Sequence, residues 1–219
     1  MKIWSHRNQL RQLYHRACRE SVLLCTASVQ RYASQSSAST TMTANLPWTI
    51  RQLHSVDAHS LMQLGDVLVD CVEGGASVSF MLPLSHERAM SFWRGVAAGI
   101  ATGERALLVA EDAFGICGTV QLVLAQPDNQ PHRADVAKML VHRRARQHGL
   151  GEALMLAVEL LAQQCGRTLL VLDTVTGGAA ERLYARLGWE RVGVIPDYAL
   201  FPDGGLVATT VFYRRLGAR

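Results

Sequence analysis

The segment Val136-Ala-Lys-Met-Leu-Val-His-Arg-Arg-Ala-Arg-Gln-His-Gly-Leu-Gly-Glu-Ala-Leu154 decides the fold, because an apolar strand runs there into a basic, glycine-bearing turn that opens a helix. Gly149 and Gly151 lack a Cβ atom, so a ligand can approach their backbone closely. The first free N–H groups of the helix point outward, with the positive end of the helix dipole behind them. The segment therefore predicts a binding site for a pyrophosphate group.

Other phosphate-binding motifs also combine a glycine turn with a helix, and three details exclude them here. No Lys-Ser or Lys-Thr follows the glycines, the motif lies late in the chain, and the spacing is not Gly-x-Gly-x-x-Gly. Arg146, with Arg143 or Arg144, can add charge-assisted contacts to the phosphates. The structural alternative is a helix cap that happens to be basic.

The order Arg146-x-x-Gly149-x-Gly151 resembles the acyl-CoA signature of the GNAT superfamily of N-acetyltransferases, which reads Gln or Arg, two residues, Gly, one residue, Gly or Ala. The resemblance implies a GNAT fold, acetyl-CoA as co-substrate and no metal. It also implies that strand residues 139–141 offer backbone groups to the pantetheine arm, with an N–H near Leu140 or Val141 for the thioester oxygen. The cofactor-binding residues that it implies are Met139, Leu140, Val141, Arg146, Gln147, His148, Gly149, Leu150, Gly151 and Glu152.

A second stretch, Leu183-Tyr184-Ala-Arg-Leu-Gly188-Trp189, resembles the Leu-Tyr-x-x-x-Gly-Phe sequence that follows the fourth helix of the superfamily, with Trp189 where Phe is usual. The family's tyrosine is its common general acid. A phenol with a pKa of about 10 keeps its proton at neutral pH and can donate it to the departing CoA thiolate. The structural alternative for Tyr184 is a helix residue packed against the sheet. Gly177 stands where the superfamily often has an Asn that contacts the cofactor, so that contact is absent.

Further stretches resemble the tabtoxin-resistance acetyltransferases, in the same order along the chain. They are Val72-Glu-Gly-Gly-Ala-Ser-Val-Ser-Phe-Met81, Arg133-Ala-Asp-Val-Ala-Lys138, Leu172-Asp173-Thr174 and Phe201-Pro-Asp-Gly204. This likeness covers residue 53 to the carboxyl terminus. It implies a small amino-acid-like amine as substrate, such as tabtoxinine-β-lactam, and a role in toxin or antibiotic resistance. An aminoglycoside, a polyamine or a protein amine remains open as the substrate. A CoA-binding module without catalysis is also open, although the retained Tyr184 argues against it.

Two carboxylates are candidates for the chemistry of the amine. In the relatives, acidic residues at the positions of Asp135 and Asp173 face the active site, which implies amine binding or water-mediated proton removal. Each lies on or at the end of an otherwise apolar strand, where a carboxylate is costly without a partner or a task. The structural alternative is an ion pair with a basic residue such as Arg133 or Lys138.

The third candidate part of the site lies between the first two predicted helices. Gly74, Gly75 and Ser77 stand there, and the resemblance implies a flexible entrance that selects the substrate. Ordinary loop geometry is the alternative interpretation of these residues.

Hydrophobic periodicity and capping residues predict the elements. Asp57 and Ser85 are expected to cap the first two helices, with a stripe of Arg88, Phe92 and Val96 on the second. The predicted strands are 48–53, 106–110, 118–125, 134–142, 168–172, 189–194 and 207–213, and the predicted helices run from 57 to 74, from 85 to about 103, over 149–165 and over 179–187. This alternation indicates an α/β (α+β) fold, with a mixed central sheet of about seven strands and helices on both faces.

Composition predicts one folded domain and argues against nucleic acid as a partner. A chain of 219 residues with 49% hydrophobic residues can bury one substantial core. The net charge of +4 is concentrated before Asp57, where Glu20 is the only acidic residue, and the basic cluster 142–148 lacks interleaved aromatic residues. We expect residues 47–219 to form the domain. Residues 1–46 read as an arm that is disordered, a targeting peptide, or the product of a start site placed before Met42.

Several reaction and partner classes find no support in the sequence. The five cysteines follow no CxxC spacing and the histidines no ligand spacing, so we expect neither a disulfide framework nor a metal site. A reducing, cytoplasmic location fits this pattern best. No apolar run reaches about 18 residues, so a membrane is not an expected partner. No Ser-His-Asp order with a Gly-x-Ser-x-Gly elbow is present. A homodimer is compatible with the sequence.

Overall fold

A computed structural model describes residues 47–217, so the predicted arm of residues 1–46, with Met42, lies outside the described residues. The elements in chain order are β1 (Thr49–Leu53), α1 (Ala58–Glu73), α2 (His86–Ala101), β2 (Arg105–Asp112), β3 (Gly115–Val123), β4 (Arg133–Val141), a 3₁₀ turn (Arg143–Ala145), α3 (Leu150–Gln164), β5 (Leu169–Val175), α4 (Ala179–Arg186), β6 (Glu190–Leu200) and β7 (Leu206–Arg215). The predicted order of strands and helices is confirmed. Among the described residues, no helix is long and apolar enough to cross a membrane.

The strands form one seven-stranded sheet in the order β1-β2-β3-β4-β5-β7-β6. Every neighbouring pair is antiparallel except β4 with β5, which are parallel and are joined through α3. Such a crossover is what a parallel pair requires. The predicted mixed sheet is therefore confirmed, and its single parallel pair lies at the centre.

Helices cover both faces of this sheet. Along β2, Leu107 and Val109 pack into the core under α1 and α2, whereas Ala106, Leu108 and Ala110 pack into the core under α3. This alternation is the period of two that a strand buried on both faces must show. The prediction of helices on both faces is confirmed.

Local sequence explains where α1 and α2 begin. The Asp57 carboxylate accepts a hydrogen bond from Ser60 N at 2.7 Å, and the Ser85 hydroxyl accepts one from Arg88 N at 3.2 Å, as the capping prediction required. The predicted stripe of α2 is wrong at Arg88, whereas Phe92 packs against the core from a partly buried position and Val96 is buried. The buried positions are Ala89, Trp93, Val96, Gly99 and Ile100, while Arg88 is exposed and Phe92 is partly buried. The buried stripe thus runs through the neighbouring positions of the helix.

The last strands are longer than the pattern indicates. β6 runs to Leu200 instead of ending at 194, with irregular pairing between Ile195 and Ala199. It is an edge strand with almost every side chain exposed, among them Val192, Ile195 and Tyr198. A strand that buries neither face carries no clear alternation, so its length could not be predicted.

A buried polar cluster joins α3 to the end of α4. The Trp189 indole N–H donates to Glu159 Oε1 at 2.9 Å, and Arg214 Nε lies 3.3 Å from the other carboxylate oxygen of Glu159. Arg214 also donates to the carbonyl of Leu187 at 2.6 Å. Burial raises the pKa of Glu159, against the charge of Arg214 and the indole hydrogen bond. The cluster explains the departure from the usual Phe, because a buried indole N–H needs an acceptor and Glu159 supplies it.

We expect Glu159→Leu to lower the free energy of unfolding by about 3 kcal/mol, because it leaves a partly buried guanidinium without its carboxylate. Trp189→Phe removes one hydrogen bond and should cost about 1 kcal/mol. Urea unfolding of the two single variants and the double variant measures both losses and their coupling. If Trp189→Phe lowers the free energy of unfolding as much as Glu159→Leu does, the stability comes from the packing of the Trp189 ring and not from the hydrogen bonds of the cluster.

Candidate active site

The parallel strands β4 and β5 pair over a short distance and then separate. Their register contains three residue pairs, Arg133 with Leu169, Ala134 with Leu170 and Asp135 with Val171, although β4 continues to 141 and β5 to 175. Beyond the last pair, each strand keeps its other neighbour, so one edge of β4 and one edge of β5 face an opening. We call this opening the strand gap; backbone groups along it are free for a ligand.

A bulge in β4 shapes the wall of the strand gap. Thr119 pairs with Leu140 and Gln121 with Ala137, so that Lys138 and Met139 share one position of the partner strand. Lys138 has a φ of 49°, which lies in the left-handed region. The buried Thr119 hydroxyl donates to the Lys138 carbonyl at 2.9 Å and holds this irregular backbone in place. Bulges of this kind redirect side chains and backbone groups beside a site.

The loop that follows β4, residues 142–151, is called here the anion loop. Gln147 and Gly149 have φ values of 66° and 77°, and α3 begins at Leu150. Left-handed residues that alternate with ordinary ones turn successive N–H groups to the same side and form an anion-binding concavity. A Cβ atom built at Gly149 meets no atom within 4 Å, so the space before the helix end is open.

The helix end itself lies close to the sheet. A Cβ atom on Gly118 in β3 would come within 3.1 Å of Leu154 Cδ1 and within 3.2 Å of Leu150 Cδ2. Glycine at this position therefore allows α3 to pack against β3 and brings its first turn to the mouth of the strand gap. His148, Gln147 and Glu152 are exposed around this turn.

The three arginines of the loop hold it to the body of the domain. Arg143 Nε donates to Asp70 Oδ1 at 2.8 Å, Arg144 Nε donates to Asp112 Oδ2 at 2.9 Å, and Arg146 Nε donates to the Val141 carbonyl at 3.0 Å. Their predicted contacts with phosphate thus stay predictions. In this structure the guanidinium groups fix the loop conformation and leave their positive charge around it.

Asp70 on α1, which the sequence analysis did not single out, holds the anion loop through Arg143. Its carboxylate accepts from the backbone N–H of Arg143 at 2.8 Å as well as from its side chain, and His142 Nε2 lies 3.5 Å away. Burial acts to raise the pKa of Asp70, but the hydrogen bonds from Arg143 and the charges of His142 and Arg143 lower it overall. The available signal was a buried carboxylate three residues after the core residue Val67.

Because the folded-state pKa of Asp70 is lowered, its contribution to stability is present above the unfolded pKa of about 3.9 and is lost as the pH falls through the folded value. At pH 7 we expect Asp70→Asn to reduce the free energy of unfolding by about 1.5 kcal/mol and to weaken acetyl-CoA binding several-fold. The stability difference should shrink as the pH falls through the lowered pKa of Asp70. Calorimetric titration and chemical unfolding across pH measure both effects.

Glu73→Gln is the matched control for Asp70→Asn, because Glu73 contacts the same arginine at 3.4 Å from an exposed position. Exposed pairs contribute little, so this variant should bind acetyl-CoA as the wild type does. Equal losses in the two variants would contradict the assignment of Asp70.

Gly149→Val should raise the KM for acetyl-CoA more than tenfold, because it places a branched side chain at a left-handed φ and in the open space of the anion loop. Arg146→Ala should raise it about tenfold, which corresponds to about 1.4 kcal/mol. Gly166→Val is the control, since Gly166 has a φ of 67° but lies beyond the far end of α3. Gly166→Val should lower the stability of the protein and leave the KM for acetyl-CoA unchanged. If all three variants bind acetyl-CoA with the affinity of the wild type, the pyrophosphate is not bound at the anion loop.

Tyr184 lies on α4 with 5% of its surface exposed. Its ring contacts Trp189 and Phe212, with both centroids 6.1 Å away. Its hydroxyl has no hydrogen-bond partner among residues 47–217. Burial first, and then the charge of Asp173, raise the pKa of Tyr184 far above its ordinary value. The ring is therefore a core residue, while the hydroxyl keeps its proton and is free to donate it.

The two predicted carboxylates occupy different surroundings. Asp135 lies at the closed end of the strand gap, where Arg133 Nη1 donates to it at 2.6 Å and Gln126 Nε2 at 3.1 Å. This is the structural alternative that the sequence left open. Asp173 is exposed, lies two residues beyond the last β4–β5 pair and accepts from Thr209 at 3.2 Å. The contacts favour Asp173 as the carboxylate of the site.

The loop between α1 and α2 contacts the β6–β7 hairpin. The Ser77 hydroxyl donates to the Leu200 carbonyl at 2.7 Å, and Leu82 N donates to the Pro202 carbonyl at 2.8 Å. Gly75, with a φ of 84°, permits the turn that starts this loop. Gly74 ends α1 beside the Arg143 side chain of the anion loop. The predicted entrance residues therefore divide between two neighbouring parts of the site.

Lys138 is the second residue that sequence reasoning did not assign to the site. Its ammonium donates to Ser79 Oγ at 3.2 Å and lies 5.7 Å from the centroid of the Phe92 ring. The bulge that places it there leaves no signal in the sequence pattern. Within residues 47–217, no group of three or more His, Cys, Asp or Glu side chains is arranged to hold a metal ion.

Comparison with known proteins assigns the domain. The family model described as "Acetyltransferase (GNAT) domain" matches residues 103–191, which include the bulge, the anion loop and Tyr184. This part of the chain is similar to GNAT acetyltransferase domains, and the seven-stranded sheet has the GNAT fold. The predictions of the GNAT fold, of an N-acetyltransferase and of acetyl-CoA as its co-substrate are thereby confirmed at the level of the family.

Solved structures share the fold at low sequence identity. The Salmonella typhimurium protein YncA, named as an acetyltransferase and solved with its cofactor acetyl-CoA, is 19% identical with a TM-score of 0.64, over 79% of this chain and 96% of that one. A ribosomal-protein-alanine N-acetyltransferase from Brucella melitensis is 20% identical with a TM-score of 0.65, over 76% and 99%. A protein named as a phosphinothricin N-acetyltransferase is 19% identical with a TM-score of 0.62, over 78% and 99%. Since these GNAT relatives are named for different amines, the fold does not identify the substrate.

Proposed function

We propose that this GNAT acetyltransferase transfers the acetyl group of acetyl-CoA to the amine of a small amino-acid-like molecule bound at the strand gap. The observation that supports the proposal is the early end of the β4–β5 pairing, which leaves an edge of β4 free beside the anion loop and places Asp173, whose charge acts on Tyr184, just beyond the last pair. Resistance to an amino-acid-like toxin such as tabtoxinine-β-lactam is part of the proposal. It rests on the resemblance of residues 72–81 and 133–138 to the tabtoxin-resistance enzymes.

The residues present fit acetyl-CoA. The open space before Gly149 and the first turn of α3 suit a pyrophosphate, and the unpaired edge of residues 136–141 suits an extended pantetheine arm. Acetyl-CoA supplies the acetyl group as a thioester. The N–H of Leu140 or Val141 would donate to the thioester oxygen, and one such donor is worth a few kcal/mol in comparable sites.

The remaining groups handle the protons. The incoming amine must lose its ammonium proton, which Asp173 would accept through water. The C–N bond then forms while the C–S bond breaks. The sulfur that leaves takes a proton from the Tyr184 hydroxyl, and the nitrogen gives up its second proton through water, which restores the Tyr184 hydroxyl. Held in one opening, the two reactants also gain the advantage of proximity. Asp135 would act on the site through its contact with Arg133 and not as a base.

Other amines would use the same chemistry and are outcomes of the test. A thiol-release assay with acetyl-CoA should compare amino acids, β-lactam amino acids, aminoglycosides, polyamines and peptides with a free amino terminus. A preference for amino acids supports the proposal. A preference for another class of amine in the panel identifies that class as the substrate instead. Binding of acetyl-CoA without thiol release would favour a CoA-binding module.

We expect Tyr184→Phe to lower kcat at least about 100-fold, because general acid catalysis is typically worth 10²–10⁴-fold. The change keeps the ring contacts with Trp189 and Phe212, so stability and acetyl-CoA affinity should stay nearly unchanged. Steady-state kinetics and thermal unfolding measure these quantities. A near-normal kcat would assign the protonation to water, and a large loss of stability would favour the structural interpretation of Tyr184.

A cytoplasmic location and a homodimer complete the proposal. Cys71 and Cys117 are buried free thiols, which suits a reducing compartment. The exposed apolar residues of the edge strand β6 offer a surface on which a second copy could pack.

A further inference from the structure

Two opposite charges flank the strand gap without forming an ion pair. Asp173 lies two residues beyond the last β5 pair, and Lys138 lies three residues beyond the last β4 pair. The charge of Asp173 acts on Lys138, but the hydrogen bond of the ammonium goes to Ser79. A ligand that carries one positive and one negative charge could therefore contact both side chains at once.

The surroundings of Lys138 allow its ammonium group to bind such a ligand. Its ammonium has three N–H donors, of which Ser79 accepts one at 3.2 Å, and Ser79 itself is exposed. The Phe92 ring, 5.7 Å away, lies beside the same ammonium and limits its access to water. Burial lowers the pKa of Lys138, while Asp173 acts to raise it. A partly desolvated ammonium with unused donors at the mouth of a site gains from a carboxylate partner.

The placement of Lys138 also differs from that of the arginines of the anion loop. The chain contains 22 Lys and Arg residues, and Lys2 and Lys138 are its only lysines. The arginines of the anion loop form hydrogen bonds with protein acceptors. Lys138 instead stands at the bulge where β4 turns toward the opening, held by Ser79 from the α1–α2 loop. That loop thus orients a charge at the site as well as covering it.

We infer that Lys138 binds the carboxylate of the amine substrate, which makes a free amino acid, with its carboxylate and amine both unblocked, the substrate class of this enzyme. The inference rests on the proposed acetyl transfer at the strand gap. The amine lies on the side of Asp173 and the carboxylate on the side of Lys138, held with the help of the Ser79 hydroxyl. Polyamines and aminoglycosides, which carry several positive charges and no carboxylate, meet repulsion from Lys138.

The test compares each amino acid that the thiol-release panel finds active with its carboxamide, in the wild type and in Lys138→Met. A charge-assisted contact predicts that the wild type favours the acid by about tenfold or more in kcat/KM. Lys138→Met should abolish this preference by slowing the acid alone, and Lys138→Arg should restore part of it. A merely structural lysine would slow both substrates equally, and that result overturns the inference.

Arg94→Met is the matched control, because Arg94 is an exposed cation on α2 and its loss changes the net charge equally. It should leave the ratio of acid to carboxamide unchanged. If Arg94→Met reduces the ratio as Lys138→Met does, the preference comes from the overall charge of the domain and the inference fails.

A second readout does not need turnover. The full chain, with saturating CoA, is treated with a lysine-acylating reagent, and the labelling of Lys138 is measured by mass spectrometry against Lys2 in the same digest. Free amino acids should protect Lys138 at least about threefold, whereas their carboxamides should not. If only polyamines cause thiol release and free amino acids do not protect Lys138 from labelling, the inference is overturned, although the acetyl transfer itself stands. Protection without any thiol release would support the carboxylate site and contradict the proposed transfer.

Discussion

The short pairing of β4 with β5 is the constraint on which the rest of the site depends. Three residue pairs join these parallel strands, and then the edges of both face an opening within an otherwise continuous sheet. Unpaired backbone groups in the interior of a protein are costly, so the separated edges persist only where a ligand or water satisfies them. The bulge at Lys138 and Met139, fixed by the Thr119 hydroxyl, keeps the β4 edge in the conformation that faces the opening.

The anion loop depends on contacts from elements distant in the sequence. Asp70 on α1 accepts hydrogen bonds from Arg143, and Asp112 at the end of β2 accepts them from Arg144. Arg143 and Arg144, which the sequence suggested as phosphate ligands, therefore also hold the loop in its conformation. This arrangement orders the N–H groups before a ligand arrives, which lowers the entropy cost of binding. It also couples the position of α1 to the anion loop.

The part of the opening that is proposed to bind the amine is formed by a loop and a hairpin. The α1–α2 loop contacts the β6–β7 hairpin through Ser77 and Leu82, and Ser79 orients Lys138. Relatives with the same fold are named for amines as different as ribosomal-protein alanine and phosphinothricin. In this chain, Asp173 and Lys138 stand on opposite strands beyond the last β4–β5 pair.

The sequence by itself determined the elements that carry a local signal. Caps at Asp57 and Ser85, periodic apolar residues and the glycine turn at Gly149 predicted the order of strands and helices, the anion loop and the family, because each signal lies within a few neighbouring residues. Tertiary structure alone decided which charges share a site. The tether from Asp70 to Arg143 and the place of Lys138 beside Ser79 depend on contacts between distant segments and on a bulge. Register and bulges arise from contacts between distant segments, and no local pattern records them.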